Sequence, residues 1–272
     1  MKRFFCLVAM GTCLAFSGLA RADVIEVDPA GSNDCTNNPP CDLQTALDFA
    51  VTHPGDDVLQ LGSGTYDASS ATFTYAPGAT DSGALTLNGT GAVIDGGGAN
   101  AGLVINLTNL NSDASSNILV ANLTFRNGGT STVDAAGLSV NANDASINVH
   151  HCSFTNNENT GSGAGGLNIG KNGTIGSVTV AKNNFSGNLT DGLGGGALIA
   201  SEGNLSIQGN TFTNNQAFFP SVPTKNLVAA FRSHRISVCS RGLVGACPPK
   251  QRRGLTWFYR RHDRFLLPHR RI

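Results

Sequence analysis

An all-β chain, wound as a right-handed parallel β-helix (a solenoid) behind a short N-terminal capping helix, follows from three features of these 272 residues. A unit repeats four times through the middle of the chain, it alternates apolar and polar residues at period two, and it is too short to hold a crossover helix. Phe125, Phe154, Phe185 and Phe212 fix the register at intervals of 29, 31 and 27 residues. Seven residues before each Phe stands an aliphatic side chain, Ile118, Ile147, Val178 or Leu205. Two positions later comes a second aliphatic, Val120, Val149, Val180 or Ile207, and two before each Phe come Leu123, Cys152, Asn183 and Asn210.

Alternation at period two means strand, with the aliphatic pair and the Phe on one face and the two intervening spacers at a bend. A second strand is announced by glycine in "AAGLSV" at 135–140, "GGLNI" at 165–169 and "GGALIA" at 195–200. A unit of about 30 residues with this content cannot bury its own apolar face, so it stacks on its neighbours. At about 4.8 Å per coil, in-register stacking sets Phe upon Phe and aliphatic upon aliphatic. The Asn residues suit the corners, because Asn tolerates left-handed backbone and can hydrogen-bond to the Asn of the next coil. Leucine-rich repeats are excluded by the missing Leu spacing, and a calcium-binding nonapeptide solenoid by the shortage of acids.

Four segments follow. Residues 1–22 read as a secretory signal peptide: basic Lys2 and Arg3, an apolar run from Phe4 to Ala20, and Ala20-Arg21-Ala22 as cleavage site. Export is therefore expected, with no transmembrane segment left in the mature chain. Residues 23–56 form the N-terminal cap. Export permits disulfides, and Cys35 and Cys41 bracket the loop "CTNNPPC" as a small disulfide loop. Zinc does not fit there, since no second cysteine pair or histidine lies near at ligand spacing. Asp42 is a good N-cap, Leu43, Ala46, Leu47 and Ala50 share one helical face, and Pro54-Gly55 ends the helix. Residues 57–216 are the parallel β-helix, opening at Val58 to Leu61, with "GALTLNGTGAVIDGGG" at 83–98 as an early, less regular turn.

Residues 217–272 are a basic, non-repeating tail. Up to Gln216 the mature chain holds three basic residues, Arg126, Lys171 and Lys182, against seventeen Asp and Glu; beyond it stand twelve Lys and Arg and the acid Asp263. Period two, Asn corners and glycine pairs all stop within a few residues. A basic arm for nucleic acid or an anionic surface, a disordered tail and a reading-frame shift near residue 217 compete, and the simultaneous loss of every feature favours the shift. Nucleic acid is not an expected partner.

The stretch from Asp42 to Tyr66 resembles the capping helix and opening strand "GD-x-[IV]-x-L-x-x-G-x-Y" of the pectin-lyase-like β-helix superfamily. The repeats are similar to those of polymorphic outer-membrane proteins, which pair FxxN with GGA[ILV]. FxxN is matched by Phe154 and Asn157, Phe185 and Asn188, and Phe212 and Asn215; GGA[ILV] is matched by Gly195, Gly196, Ala197 and Leu198. "FRNG" at 125–128 has its Asn one place early, and Gly165-Gly166-Leu167 lacks the alanine. The resemblance covers about residues 42–216 and implies architecture rather than activity.

Lyases of that superfamily use an Arg or Lys base beside carboxylates, and hydrolases a carboxylate pair. One neighbourhood qualifies: Asp95 and Arg126 should sit outward on adjacent coils, where a surface ion pair is the plainer reading. Thr155, Ser186 and Thr213 are their equivalents further on. Asp113, Asp134, Asp144 and Asp191 fall in corners, where turn chemistry accounts for them. His150 and His151 occupy the two spacer positions, a solvated bend where adjacent side chains seldom converge on one ligand. Cys152 lies inward as a buried unpaired thiol. Aromatics for sugar stacking are scarce, with Tyr66 and Tyr75 in the body and Trp257 in the tail.

No catalytic residue, cofactor-binding residue or metal ligand is assigned. The expected function is an exported surface, outer-membrane-associated or extracellular repeat protein, adhesin-like or structural, whose partner is a cell-surface glycan or protein. The alternative is a lyase or hydrolase acting on acidic polysaccharide.

Overall fold

Alternating side chains become parallel ladders only if each coil repeats the register of the last, and the computed structural model has that register. It describes residues 23–53, 55–79, 84–110, 116–174, 176–201 and 203–219, and the backbone of strands Val222–Lys225, Val228–Phe231, Arg235–Cys239 and Thr256–Phe258. The chain forms an all-β parallel solenoid of about six turns. The signal-peptide reading of residues 1–22 lies outside the described residues.

Three sheets make the walls. The largest runs through Asp23–Ser32, Asp57–Leu61, Leu85–Asp95, Asn117–Arg126, Ser146–His150, Val178–Ala181, Asn204–Gln208 and Arg235–Cys239. The short strands Gly64–Asp67, Ser153–Thr155, Asn184–Ser186 and Thr211–Thr213 continue it past a bend. A second sheet contains Phe73–Tyr75, Leu103–Asn106, Leu138–Asn141, Leu167–Thr174 and Ala197–Ser201; a third contains the short strands Gly129–Thr130, Glu158–Asn159, Leu189–Thr190 and Gln216–Phe219. The ladder starts earlier than Val58, because Asp23 to Val27 pair with Asp57 to Leu61 and bury Ile25 and Val27.

Register places like upon like. Ile118, Ile147, Val178 and Leu205 are successive partners, as are Val120, Val149, Val180 and Ile207. The four Phe rings stack face to face, with centroids 5.1, 4.8 and 4.6 Å apart and planes within 7° of parallel. Ile94 lies beneath Phe125 and Tyr66 beneath Ile94, so one apolar column runs through the early turns too.

The bends need left-handed backbone, and the sequence supplies residues that accept it. Asn122, His151, Lys182 and Gly209 stand at one bend of successive coils with φ of 60°, 54°, 56° and 60°. Asn127, Asn156, Gly187 and Asn214 stand at the next, with φ of 49°, 53°, 66° and 55°. This explains "FRNG": Asn127 belongs to the bend, and the place of the ladder Asn is taken by Gly128. A side chain there would overlap the Ala136 carbonyl.

The Asn of FxxN is a buried fastener between coils. Asn157 Nδ2 donates to Asn188 Oδ1 at 2.8 Å and to the Phe125 carbonyl at 3.1 Å. Asn188 Nδ2 likewise donates to Asn215 Oδ1 at 2.8 Å and to the Phe154 carbonyl at 2.9 Å. Each side-chain oxygen also accepts the backbone N–H of the Asn below, and Asn157 accepts that of Gly128. Asn183 and Asn210 form a second ladder at the preceding bend. Glycines face the ring column: a side chain on Gly137 or Gly166 would strike the carbonyl of the glycine one coil on and crowd Phe154.

At the N-terminal end the helix Leu43–Thr52 is capped by Asp42, whose carboxylate accepts the Thr45 N–H at 3.0 Å. Its buried face, Leu43, Ala46, Leu47 and Ala50, joins the same continuous core as the coils. Cys35 and Cys41 are disulfide-bonded, with Cα atoms 4.9 Å apart. Beyond Gln216 parallel ladders run on: Val228–Phe231 pairs with the strand Ala197–Ser201, and Arg235–Cys239 with Asn204–Gln208, which sets Ile236 and Val238 in register with Leu205 and Ile207, so the alternation expected to stop near residue 217 returns there for one strand.

Candidate functional site

The bend after each Phe projects one side chain outward per coil, and the ladders align these into a row. From the N-terminal end it reads Asp67, Asp95, Arg126, Thr155, Ser186 and Thr213, each the strand partner of the next. The sequence places Asp95 and Arg126 on adjacent coils, and the structure brings them together: Arg126 Nε donates to Asp95 Oδ2 at 2.7 Å. The Asp95 side chain is 17% exposed and that of Arg126 42%.

Asp95 is well supplied with donors. Its Oδ1 accepts the Gly97 N–H at 3.0 Å, and Asn127 Nδ2 lies 3.3 Å from both oxygens. Burial pushes its carboxyl up, but the Gly97 N–H, Arg126 and Asn127 outweigh that and hold it below the ordinary carboxylate value. Asp67 turns to its own corner, accepting the Ser69 N–H at 2.8 Å, and is likewise lowered by Ser69. The ion pair thus orients Arg126 through Nε and leaves its half-exposed end able to meet an anionic or carbonyl group.

Beside this pair lies a shallow groove of about 510 Å3, crossing three coils. Its polar lining comes from Asn127, Thr130, Ser131, Asn156, Glu158 and Thr160, with backbone from Gly98, Gly128 and Gly129. Such a surface offers alternating amide, hydroxyl and carbonyl groups and one carboxylate. The sequence reading missed it, since a groove formed between coils has no linear signature; the Asn–Gly–Gly–Thr run at 127–130 was the available signal.

His150 and His151 stand at the bend of their own coil, as expected, but their rings converge. The Nδ1 atoms are 2.9 Å apart and the rings meet edge to face at 88°. Burial, then His151 and Lys182, push the His150 pKa below its ordinary value. Cys152 is buried among the core residues, and burial pushes its thiol up to about 12. Asp134, Asp144 and Asp191 lie in corners between strands, and Asp113 lies outside the described residues. Among the described residues no three His, Cys, Asp or Glu side chains converge as a metal site, and no helix is long and apolar enough to cross a membrane. Compared with known protein families, with characterised proteins and with solved structures, the chain finds no match.

Proposed function

We propose that the chain is an exported repeat protein of the cell surface or extracellular space, adhesin-like or structural, holding a glycan or protein along its outer faces. In this reading the solenoid is a right-handed β-helix of the pectin-lyase-like kind, related to polymorphic outer-membrane repeats, and the helix Leu43–Thr52 caps its core. The observation that carries the proposal is how the repeat distributes its residues. Inward positions are replicated coil by coil, whereas the outward row changes at every step from Asp95 to Thr213, and Asn127, bonded to Asp95, lines a polar groove open to solvent. A scaffold needs the first property to persist and a recognition face needs the second to vary.

The second reading is a polysaccharide lyase or hydrolase, favoured by the Asp95–Arg126 pair, which bonds to the groove-lining Asn127. One experiment separates the two. The full chain is incubated with polygalacturonate and with alginate, with and without calcium, and separately with fluorescent cell-wall glycans and whole bacterial cells. Saturable retention without turnover is expected. Turnover abolished by Arg126→Ala would establish the enzyme instead.

A further inference from the structure

We propose that His150 and His151 form a two-nitrogen site for a square-planar divalent cation, copper(II) foremost, on an outer corner of the solenoid. The left-handed backbone at His151, φ 54°, turns its ring back toward that of His150 instead of letting consecutive side chains diverge. The two Nδ1 atoms come to 2.9 Å in a ring-to-ring hydrogen bond, whose proton moves to the other ring nitrogen or to solvent when a cation takes its place. Metal–imidazole bonds of about 2.0 Å place two nitrogens about 2.8 Å apart at a right angle and about 3.3 Å apart at the tetrahedral angle. The observed spacing matches the right angle, which is the preference of copper(II) and nickel(II), and imidazole binds copper(II) most tightly of the divalent first-row ions. A small rotation of each ring re-aims both lone pairs at one apex, and water fills the remaining positions.

The coil itself does not require imidazoles here. The same two positions are Ala121-Asn122 one coil below and Ala181-Lys182 one coil above. His151 is exposed and His150 half-buried, so a cation from solution reaches both. Facing the pair are the uncharged Asn122 amide, bonded to Asn88 Oδ1 at 2.7 Å, and the Lys182 ammonium, which opposes the cation. The acid-rich body, seventeen carboxylates against three basic side chains over residues 23–216, works the other way.

The neighbouring coils supply variants that keep the bend: His150→Ala and His151→Asn copy Ala121 and Asn122. The full chain and these variants are titrated with copper(II) and followed by calorimetry and electron paramagnetic resonance, with circular dichroism as the check on folding. The tightest copper equivalent should show hyperfine coupling to two imidazole nitrogens and weaken at least tenfold in each single variant. His53→Ala should leave it unchanged. Copper affinity within twofold of the parent in the folded double variant, or coupling to one nitrogen only in the parent, would overturn the site.

Discussion

A single position shows how strictly the repeat constrains residue type. Cys152 stands in the slot that Asn183 and Asn210 fill in the next two coils. Its Sγ lies 3.6 Å from the Val120 carbonyl, the counterpart of the Asn183 Nδ2 bond to Val149 at 2.9 Å, and within reach of the Leu123 backbone. A thiol is a weak donor and a weak acceptor. Cys152→Asn should extend the ladder by one coil, replacing poor bonds with amide ones and raising stability by about 1 kcal/mol in denaturant melts. Gly128→Asn, which restores the FxxN motif on paper, should have the opposite sign, because its side chain would overlap the Ala136 carbonyl. Equal effects of the two substitutions would mean that the slots are not as described. Cys152 was legible in the sequence as inward and unpaired, but its place in an amide ladder was not, since that role belongs to the bonds made by other coils.

At the scale of the element, the coil combines a stacked ring, a buried amide and a glycine, each fitted to the same group one turn away. Asn188 illustrates the coupling: it accepts from the Asn157 N–H and Nδ2 while donating to Phe154 and Asn215. Replacing it by Ala leaves several buried groups on two coils without partners, at about 1–3 kcal/mol for each group stranded. Asn188→Ala should therefore destabilise the chain far more than Asn88→Ala, whose amide ladder with Asn122 lies at the surface; thermal melts of the two variants check the order. The Phe spacing, the inward aliphatics and the helix face Leu43, Ala46, Leu47 and Ala50 were readable from period and propensity alone. The strand Asp23–Ser32 was not, because its single alternating pair, Ile25 and Val27, does not recur in the repeat. Nor could spacing reveal the convergence of His150 and His151, which depends on the sign of one backbone angle.

At the scale of the whole molecule, the solenoid is a sum of near-identical contacts between neighbours, so its ends and outer faces carry what is particular to this protein. The exposed end of a stack offers unpaired strand groups and an apolar column to any further strand. The ladders formed by Val228–Phe231 and Arg235–Cys239 occupy that position here, with Ile236 and Val238 in register with the aliphatic pair Leu205 and Ile207. That one aliphatic pair, without the Phe, Asn corners and glycine pairs of the repeat, was too little to be read in advance. The groove and the row from Asp67 to Thr213 are likewise products of stacking, assembled from residues about 30 apart. All of this depends on one spine of rings. Nuclear Overhauser contacts in protein labelled only at phenylalanine measure it directly: cross-peaks should join Phe125 to Phe154, Phe154 to Phe185 and Phe185 to Phe212, with none between Phe125 and Phe185. Absence of the three sequential contacts in the folded protein, or contacts that skip a coil, would contradict the stacked solenoid.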